Sequence, residues 1–400
     1  MEKYQMERRV MRGAIIAQKS RLKKALDGWH VPSQTRHIYY RVVFEGFRSE
    51  PKCTCPDYEF FKEKCKHIYA VEFTLRREVD KDGNLTVTKS IRLSYPQNWP
   101  AYDKAQANEK ENFMNLLGDL CGYIPEPEQA SGRPMLSMRD MTFASALKVY
   151  STFSLRRFMT YLREAKEDGH IGKAPSFASV GHFMQRKDVT PVLMELVEKS
   201  SLPLRSVETQ FAMDSSGFST SRFGRWYDFR HGSDKTKRVW FKAHVMVGVK
   251  TNVVTSLVMS DGYGNDGKHF PELMEKTAEN FSVKEVSADK AYLSLKNLRL
   301  AEELGAVPFI PFKKNNNADG FKPRIWKRLY HYFLYRHEEF SQHYHKRSNV
   351  ETTFHMIKSK FGGSLRSKTE TAQLNEVLLK ILCHNICVVN QEVEELKITV

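Results

Sequence analysis

Tyr344, Arg347, Glu351 and Lys358 stand at offsets of 0, 3, 7 and 14 positions near the C-terminal end of the chain. On a helix turning 100° per residue, all four fall within a sector of roughly 60°. One face then carries a phenol, a guanidinium, a lone carboxylate and an ammonium. A carboxylate among cations can hold a metal ion, while the cations and the phenol beside it can grip phosphate oxygens. The same pattern also describes a solvated basic helix whose Arg347–Glu351 i,i+4 pair contributes only roughly 0.3 kcal/mol.

A second group of reactive residues lies far upstream. Cys53-Thr-Cys55 is followed, nine residues on, by Cys65-Lys-His67. Three thiolates and an imidazole make up the ligand set of a closed tetrahedral zinc site. Two tight pairs around a short loop let one small ββα unit supply all four. No vacant acidic partner is evident, so this Zn2+ is expected to hold structure rather than do chemistry. The C-x-C and C-x-H spacing, preceded by the strand-like His37–Phe44 and followed by the helix-like Ile68–Thr74, resembles the SWIM zinc finger over roughly residues 28–75. Lys52, Lys62, Lys64 and Lys66 surround it and suit either DNA or protein contact.

Composition sets the frame for both groups. The 400 residues are 41% hydrophobic and 12% aromatic, enough for about two or three cores of ordinary size. Lys and Arg number 63 against 47 Asp and Glu, a net charge of +16 that favours a polyanionic partner, most simply nucleic acid. No apolar run approaches the roughly 20 residues needed to span a bilayer, and the N-terminus lacks the apolar core of a signal peptide. Six cysteines in so long a chain do not form a disulfide framework, so a reducing, cytoplasmic setting without membrane association is expected.

The elements that must position these residues can be read from periodicity. Residues 1–27 are expected to form a basic helix and 28–94 the zinc-finger module, with a turn at Asp80–Asn84. Residues 95–133, punctuated by prolines, are expected to be a linker with one short helix around Asn112–Cys121. In 134–204 the apolar residues Phe143, Leu147, Tyr150, Leu155, Phe158, Met159 and Leu162 recur at helical intervals. That region suits a helix-turn-helix-like DNA-binding module and equally an all-α spacer buttressing the next domain.

From 205 to 395 strands alternate with helices. Val207–Met213 is a strand closing on Asp214, Val239–Val249 and Val253–Met259 form a hairpin, and Val283–Ala288 closes on Asp289. Helices are expected at Phe270–Phe281 and Leu293–Leu304, with a buried strand at Val307–Ile310 and a basic insertion over 312–340 before the helix bearing Glu351. The order β-β-β-α-β-α-β-α is that of an RNase H-like domain, a mixed sheet with flanking helices. The whole chain is then a multidomain α+β or α/β protein with a zinc module and an all-α region ahead of that sheet. First and fourth strands are neighbours in such a sheet, so Asp214, Asp289 and Glu351 would converge. Three carboxylates so gathered can hold two divalent cations roughly 4 Å apart, with hard oxygen donors selecting Mg2+ or Mn2+.

Asp214 in Ala-Met-Asp-Ser-Ser-Gly-Phe, Asp289 in Ser-Ala-Asp-Lys-Ala-Tyr, and the Y-x2-R-x3-E-x6-K spacing at Tyr344, Arg347, Glu351 and Lys358 together resemble the DDE transposases of prokaryotic insertion sequences. The resemblance covers 205–390 well and 134–204 more loosely. It implies that Asp214, Asp289 and Glu351 bind the catalytic metals, and that Tyr344, Arg347 and Lys358 hold phosphates of the element's end. It further implies a homodimer acting on double-stranded DNA, both terminal inverted repeats and target, at the nucleoid of a prokaryotic cell. The zinc finger departs from that family's commonest layout and leaves open which module reads the repeats. A structure-selective nuclease and a non-catalytic DNA-binding regulator derived from a transposase are the alternatives.

Some further residues bear on the same chemistry. Asp261 and Asp266, in a Gly-rich loop, could reach the metals but are ordinary turn residues. His355 reads as a surface histidine. Cys383, His384 and Cys387 lie on an apolar helical repeat, Leu378–Val389, and read as core rather than ligands. Trp226 and Tyr227 beside Arg222, Arg225 and Arg230 suit stacking on an unpaired base, and loop packing equally.

Overall fold

The computed structural model describes residues 2–20, 22–25, 27–34, 38–44, 50–79, 85–89, 98–128, 134–220, 240–261, 264, 266–313, 315–317 and 322–398. The Asp80–Asn84 turn and the Trp226, Tyr227, Arg222, Arg225 and Arg230 cluster lie outside the described residues. Two compact units divide the chain, Met1–Pro96 and Gln97–Val400.

In the first unit, α1 (Glu2–Lys19) is followed by β1 (Lys23–Ala25), β2 (Gly28–Pro32), β3 (Tyr39–Val43) and β4 (Lys52–Cys53), which pair in that order as an antiparallel sheet. Two short helices, α2 (Pro56–Phe61) and α3 (Lys66–Thr74), and the hairpin β5 (Leu75–Val79) with β6 (Leu85–Lys89) complete it. The N-terminal helix is shorter than the expected 1–27, because Ala25 pairs back onto Gly28 and pulls Lys23–Ala25 into the sheet. Gly28 has φ +132, and a Cβ there would meet the Val42 carbonyl oxygen at 2.7 Å, so this tight entry admits only glycine. α1 packs against α3 so closely that a Cβ on Gly13 would stand 2.6 Å from Tyr69 Cβ. Ile16 joins Trp29, Val31, Val42, Ile68 and Val71 in the core around the cysteines.

The second unit begins with helices rather than a linker. α4 (Trp99–Ala107) and α5 (Glu109–Gly122) occupy much of the stretch expected to be connecting, because Phe113, Met114, Leu117 and Cys121 present one buried stripe. Then come α6 (Met138–Tyr150), α7 (Met159–Glu167), α8 (Phe177–Phe183) and α9 (Val189–Ser201). α6 is buried without interruption from Met141 to Val149, so it offers no free face to a DNA groove. It shares one core with α9, with the sheet and with the terminal helix.

The sheet runs β11-β10-β7-β8-β9, where β7 is Gln210–Ser219, β8 Trp240–Gly248, β9 Val254–Asp261, β10 Glu285–Ala288 and β11 Val307–Phe309. β10 is parallel to both β7 and β11, while β7, β8 and β9 are antiparallel. First and fourth strands are thus neighbours in a mixed, RNase H-like order. Alternation along β7 sends Phe211 and Met213 to one face and Ala212 and Phe218 to the other. The Phe211 face is covered by α10 (Phe270–Asn280), α11 (Leu295–Glu303) and α12 (Arg324–Tyr335). The Ala212 face is covered by α14 (Ser348–Phe361) and α15 (Glu370–Leu396).

Three expectations change here. β7 does not close on Asp214 but continues to Ser219, because β8 pairs with it as far as Ser219↔Trp240. The basic insertion carries two helices, α12 and α13 (His337–Tyr344), since Ile325, Trp326 and Leu329 give α12 a face to bury. α15 is long and apolar enough, by length and composition, to cross a membrane, contrary to the expectation that no such run exists. Its apolar residues are spent on the protein core instead, where Val377, Leu378, Ile381 and Leu382 are fully enclosed.

Candidate active site and metal centre

The carboxylate site is built where a parallel pairing runs out. β10 pairs with β7 from Glu285↔Gln210 to Ala288↔Met213, and the next step of that register sets Asp289 beside Asp214. Asp289 has already left the strand and caps the short 3-10 turn Lys290–Tyr292, accepting from the Lys290 N–H at 2.7 Å. Asp214 stays within β7, accepts from the Ser215 N–H at 2.8 Å, and leaves the sheet on the α14 side.

The third carboxylate comes from α14, held on the sheet by Val350, Phe354, Ile357 and Phe361. The rod from Tyr344 to Lys358 is not one regular helix. α13 ends at Tyr344, residues His345–Arg347 tighten into a 3-10 turn, and α14 starts at Ser348. Lys346 fixes that turn to the sheet by donating to Glu285 (2.8 Å) and Gln210 (2.9 Å), the first residues of β10 and β7. With Lys346 so anchored, Arg347 points back to the carboxylates, donating to Asp214 and, at 2.6 Å, to Glu351.

Burial pushes the Asp214 carboxyl above the usual range, and the charges of Asp289 and Glu351 push the same way. The Ser215 N–H and Arg347 oppose them. Like charges crowded round a half-buried carboxylate are the condition a cation relieves. The three carboxylates do not close to ligand distances by themselves. Among the described residues the one group whose ligand atoms all lie within 4.8 Å of one another is Cys53, Cys55, Cys65 and His67. Arg347 lies between Asp214 and Glu351 and bridges them.

Lys358 is two turns further along α14. It donates to Ser216 at 2.6 Å and lies over the Phe218 and Phe354 rings at 5.2 and 5.8 Å, and its burial lowers its pKa. Sequence reasoning misses Ser216, although strand alternation puts residues 214 and 216 on one face. Asp266 goes elsewhere. It accepts from Lys242 and Ser215, and Ser215 leaves β7 on the opposite face from Asp214. His355 contacts Ser359 and stays on the surface, while Asp261 is the last residue of β9. Cys383 and His384 are core, bonded to the Ala146 and Asn252 carbonyl oxygens.

The four zinc-ligand candidates are all buried in the first unit. His67 Nδ1 stands 3.8 Å from Cys65 Sγ and 4.0 Å from Cys53 Sγ. These spacings approach the edge of a tetrahedron with Zn–S and Zn–N bonds of roughly 2.3 and 2.0 Å. Hydrogen bonds from Cys53 and Cys65 push the Cys55 thiol below its ordinary pKa. Cys55 also caps α2 through the Tyr58 N–H, so the loop between the two ligand pairs is preset. The donor set fits Zn2+.

A mixed sheet with Asp214 within β7, Asp289 just past the end of its neighbour β10, Glu351 on the helix across them and a separate Cys3His module suits a transposase- or nuclease-type enzyme with a zinc finger. Residues 205–386 match the family described as Transposase DDE domain, and residues 40–75 that described as SWIM zinc finger. The chain therefore carries a SWIM zinc finger followed by a transposase DDE domain, whose family implies DNA binding. No solved structure matches it.

Proposed function

We propose that this protein is a DNA transposase that cuts phosphodiesters at the ends of its own mobile element and joins the freed 3′-OH to target DNA. The observation that carries this reading is that Asp214 lies next in register to Asp289 and is linked through Arg347 to Glu351, within residues that match the transposase DDE domain. In it the three carboxylates hold two Mg2+ or Mn2+ ions, hard cations suited to oxygen donors. Such a pair, when bound, activates a water or hydroxyl nucleophile and stabilises the leaving 3′ oxygen.

The chain's own residues position the DNA. Arg347, once drawn off Asp214 and Glu351, offers its two-pronged guanidinium to a phosphate. Lys358, propped on Ser216 over two aromatic rings, holds a second phosphate oxygen as a point charge, and Tyr344 borders the same stripe. Two element ends must be held together, so a homodimer on double-stranded DNA is part of the reading. The SWIM finger and the helical region then serve as DNA- or partner-contacting and supporting parts, respectively.

The test is incubation of the purified protein with a duplex bearing the terminal repeats, a target plasmid and Mg2+ or Mn2+. Nicked ends and joined products are expected. Asp214→Asn, Asp289→Asn and Glu351→Gln should each abolish both products and leave duplex binding largely intact. Metal-dependent cleavage surviving in Asp214→Asn would sink the assignment, and cleavage without joined products would make the protein a nuclease.

A further inference from the structure

Between α6, α8 and the loop leading into α15 lies a cavity of about 360 Å3, lined by Lys148, Ser154, Gln185, Arg366, Ser367 and Lys368 among others. The loop is clamped from below. Glu376, 2% exposed, accepts from the Arg366 N–H with both oxygens (3.0 and 3.1 Å) and from the Ser367 N–H at 2.8 Å. Lys380, equally buried, lies 3.5 Å from Glu376 and donates to the Gly362 and Ser364 carbonyl oxygens at 2.8 and 2.9 Å. Both carboxylate oxygens of Glu376 are thereby engaged.

Lys148 is left over. Its side chain is only 7% exposed and lines the cavity, yet among the described residues its ammonium has no hydrogen-bond or ion-pair partner. Glu376 offsets its charge only at longer range, with both oxygens already held by the loop N–H groups and Lys380, so the cavity leaves room for a closer anion. Two more cations, Arg366 and Lys368, stand exposed at the rim. The 27-residue α15 begins directly behind, with an N-cap, Thr369, whose side chain makes no hydrogen bond to the first turn. First-turn N–H groups and the helix dipole add to the attraction for negative charge.

We propose that this cavity is a phosphate-binding subsite that takes a backbone phosphate of duplex DNA, outside the carboxylate site. The DNA source rests on the function proposed above and on where the loop comes from. It leaves α14, the helix of Glu351 and Lys358, at Phe361, and is tied to β7 by the Leu365 N–H donating to Ser219 at 2.9 Å. Ten residues of helix between Glu351 and Phe361 span roughly 15 Å, or about four base pairs along a duplex. One strand lying on the carboxylates can therefore extend toward the cavity. A bound phosphate would also restore Lys148, whose pKa burial now lowers.

The probes are inorganic phosphate and duplex DNA, each with the full chain and with Lys148→Met and Lys368→Ala. Phosphate, compared with chloride at equal ionic strength, should raise the Tm of the unaltered protein and not that of Lys148→Met. Lys148→Met should be at least as stable as the parent without phosphate, because the charge it loses is desolvated and offset only at longer range by Glu376. Its plot of log K for duplex against log salt should be shallower by about 0.9, the value for one lost phosphate contact. Lys368→Ala, altered only at the exposed rim, should weaken duplex binding by several-fold. A phosphate shift lost in Lys148→Met with an unchanged DNA salt slope would overturn the DNA source in favour of free phosphate. Absence of a phosphate shift in the parent, together with unchanged DNA slopes, would overturn the subsite altogether. Duplex binding with Lys148-dependent slope but no metal-dependent cleavage supports the subsite while sinking the transposase reading.

Discussion

Arg347 and Asp214 are joined by an ion pair across 133 positions of sequence, between the 3-10 turn before α14 and the middle of β7. The same guanidinium holds Glu351 four residues on, so one cation spans two of the three carboxylates. The residue proposed to grip phosphate thus stands between two of the carboxylates proposed to hold metal.

Removing that plug should expose the site. Arg347→Ala is expected to bind Mn2+ more tightly than the parent when no DNA is present, by about tenfold, because two carboxylates lose a competing charge. Its duplex affinity should fall at the same time. A Mn2+ titration showing equal or weaker binding in the variant would mean that Arg347 supports the carboxylates rather than competing for them.

The zinc centre should hold up only its own unit. Cys65→Ser, or a chelator, is expected to release Zn2+ and unfold the first unit, since Cys53, Cys55 and Cys65 are themselves part of its core. The transition of residues 97–400 should persist. Metal analysis with hydrogen exchange reads both, and an unchanged zinc content in Cys65→Ser would refute the ligand set.

His384 should make the second unit acid-sensitive. Burial pushes its pKa down to about 4 from 6.5, and its Nε2 bonds the Asn252 carbonyl oxygen at 2.9 Å. As pH falls below 6.5 the unfolded chain takes up the proton and the folded one does not. Stability is therefore lost between about pH 6.5 and 4, by up to about 3 kcal/mol. Denaturant melts of His384→Gln, which retains a donor for Asn252, should show a flatter pH dependence over that window than the parent.

Asn385 ties the helical region to the edge of the sheet. Its amide accepts from the Val254 N–H (2.9 Å) and donates to the carbonyl oxygens of Val254 (2.7 Å) and Val197 (3.2 Å) and to the Ser200 hydroxyl (3.0 Å), all buried. Asn385→Ala leaves these groups unpaired and is expected to cost about 3 kcal/mol. A loss below about 0.5 kcal/mol in urea melts would show that water or backbone shifts replace the side chain.

Local spacing made much of this protein readable from its residues. Cys53, Cys55, Cys65 and His67 sit close enough in the chain that few folds could separate them. Alternating apolar residues marked β7, β8, β9 and β10, and strand order followed from the sequence of elements. Arg347, Glu351 and Lys358 announced a helix with one charged face. All of these depend on neighbours within a few residues, which the 2.0 and 3.6 periodicities record.

Other features rest on contacts between distant segments, where no periodicity reports. Where β7 stops is decided by β8, which continues to pair beyond Asp214. Helix α6 is enclosed because α15, more than 200 residues later, lies along it. Lys148 looks like any helix-surface lysine until the Arg366–Thr369 loop closes over it and Glu376 spends its hydrogen bonds on that loop. Which chemical groups the protein carries, and on which local faces, was determined by the sequence alone. Which charge faces which, above all Arg347 between Asp214 and Glu351, was decided by tertiary packing, because burial and pairing energies depend on what the rest of the chain brings alongside.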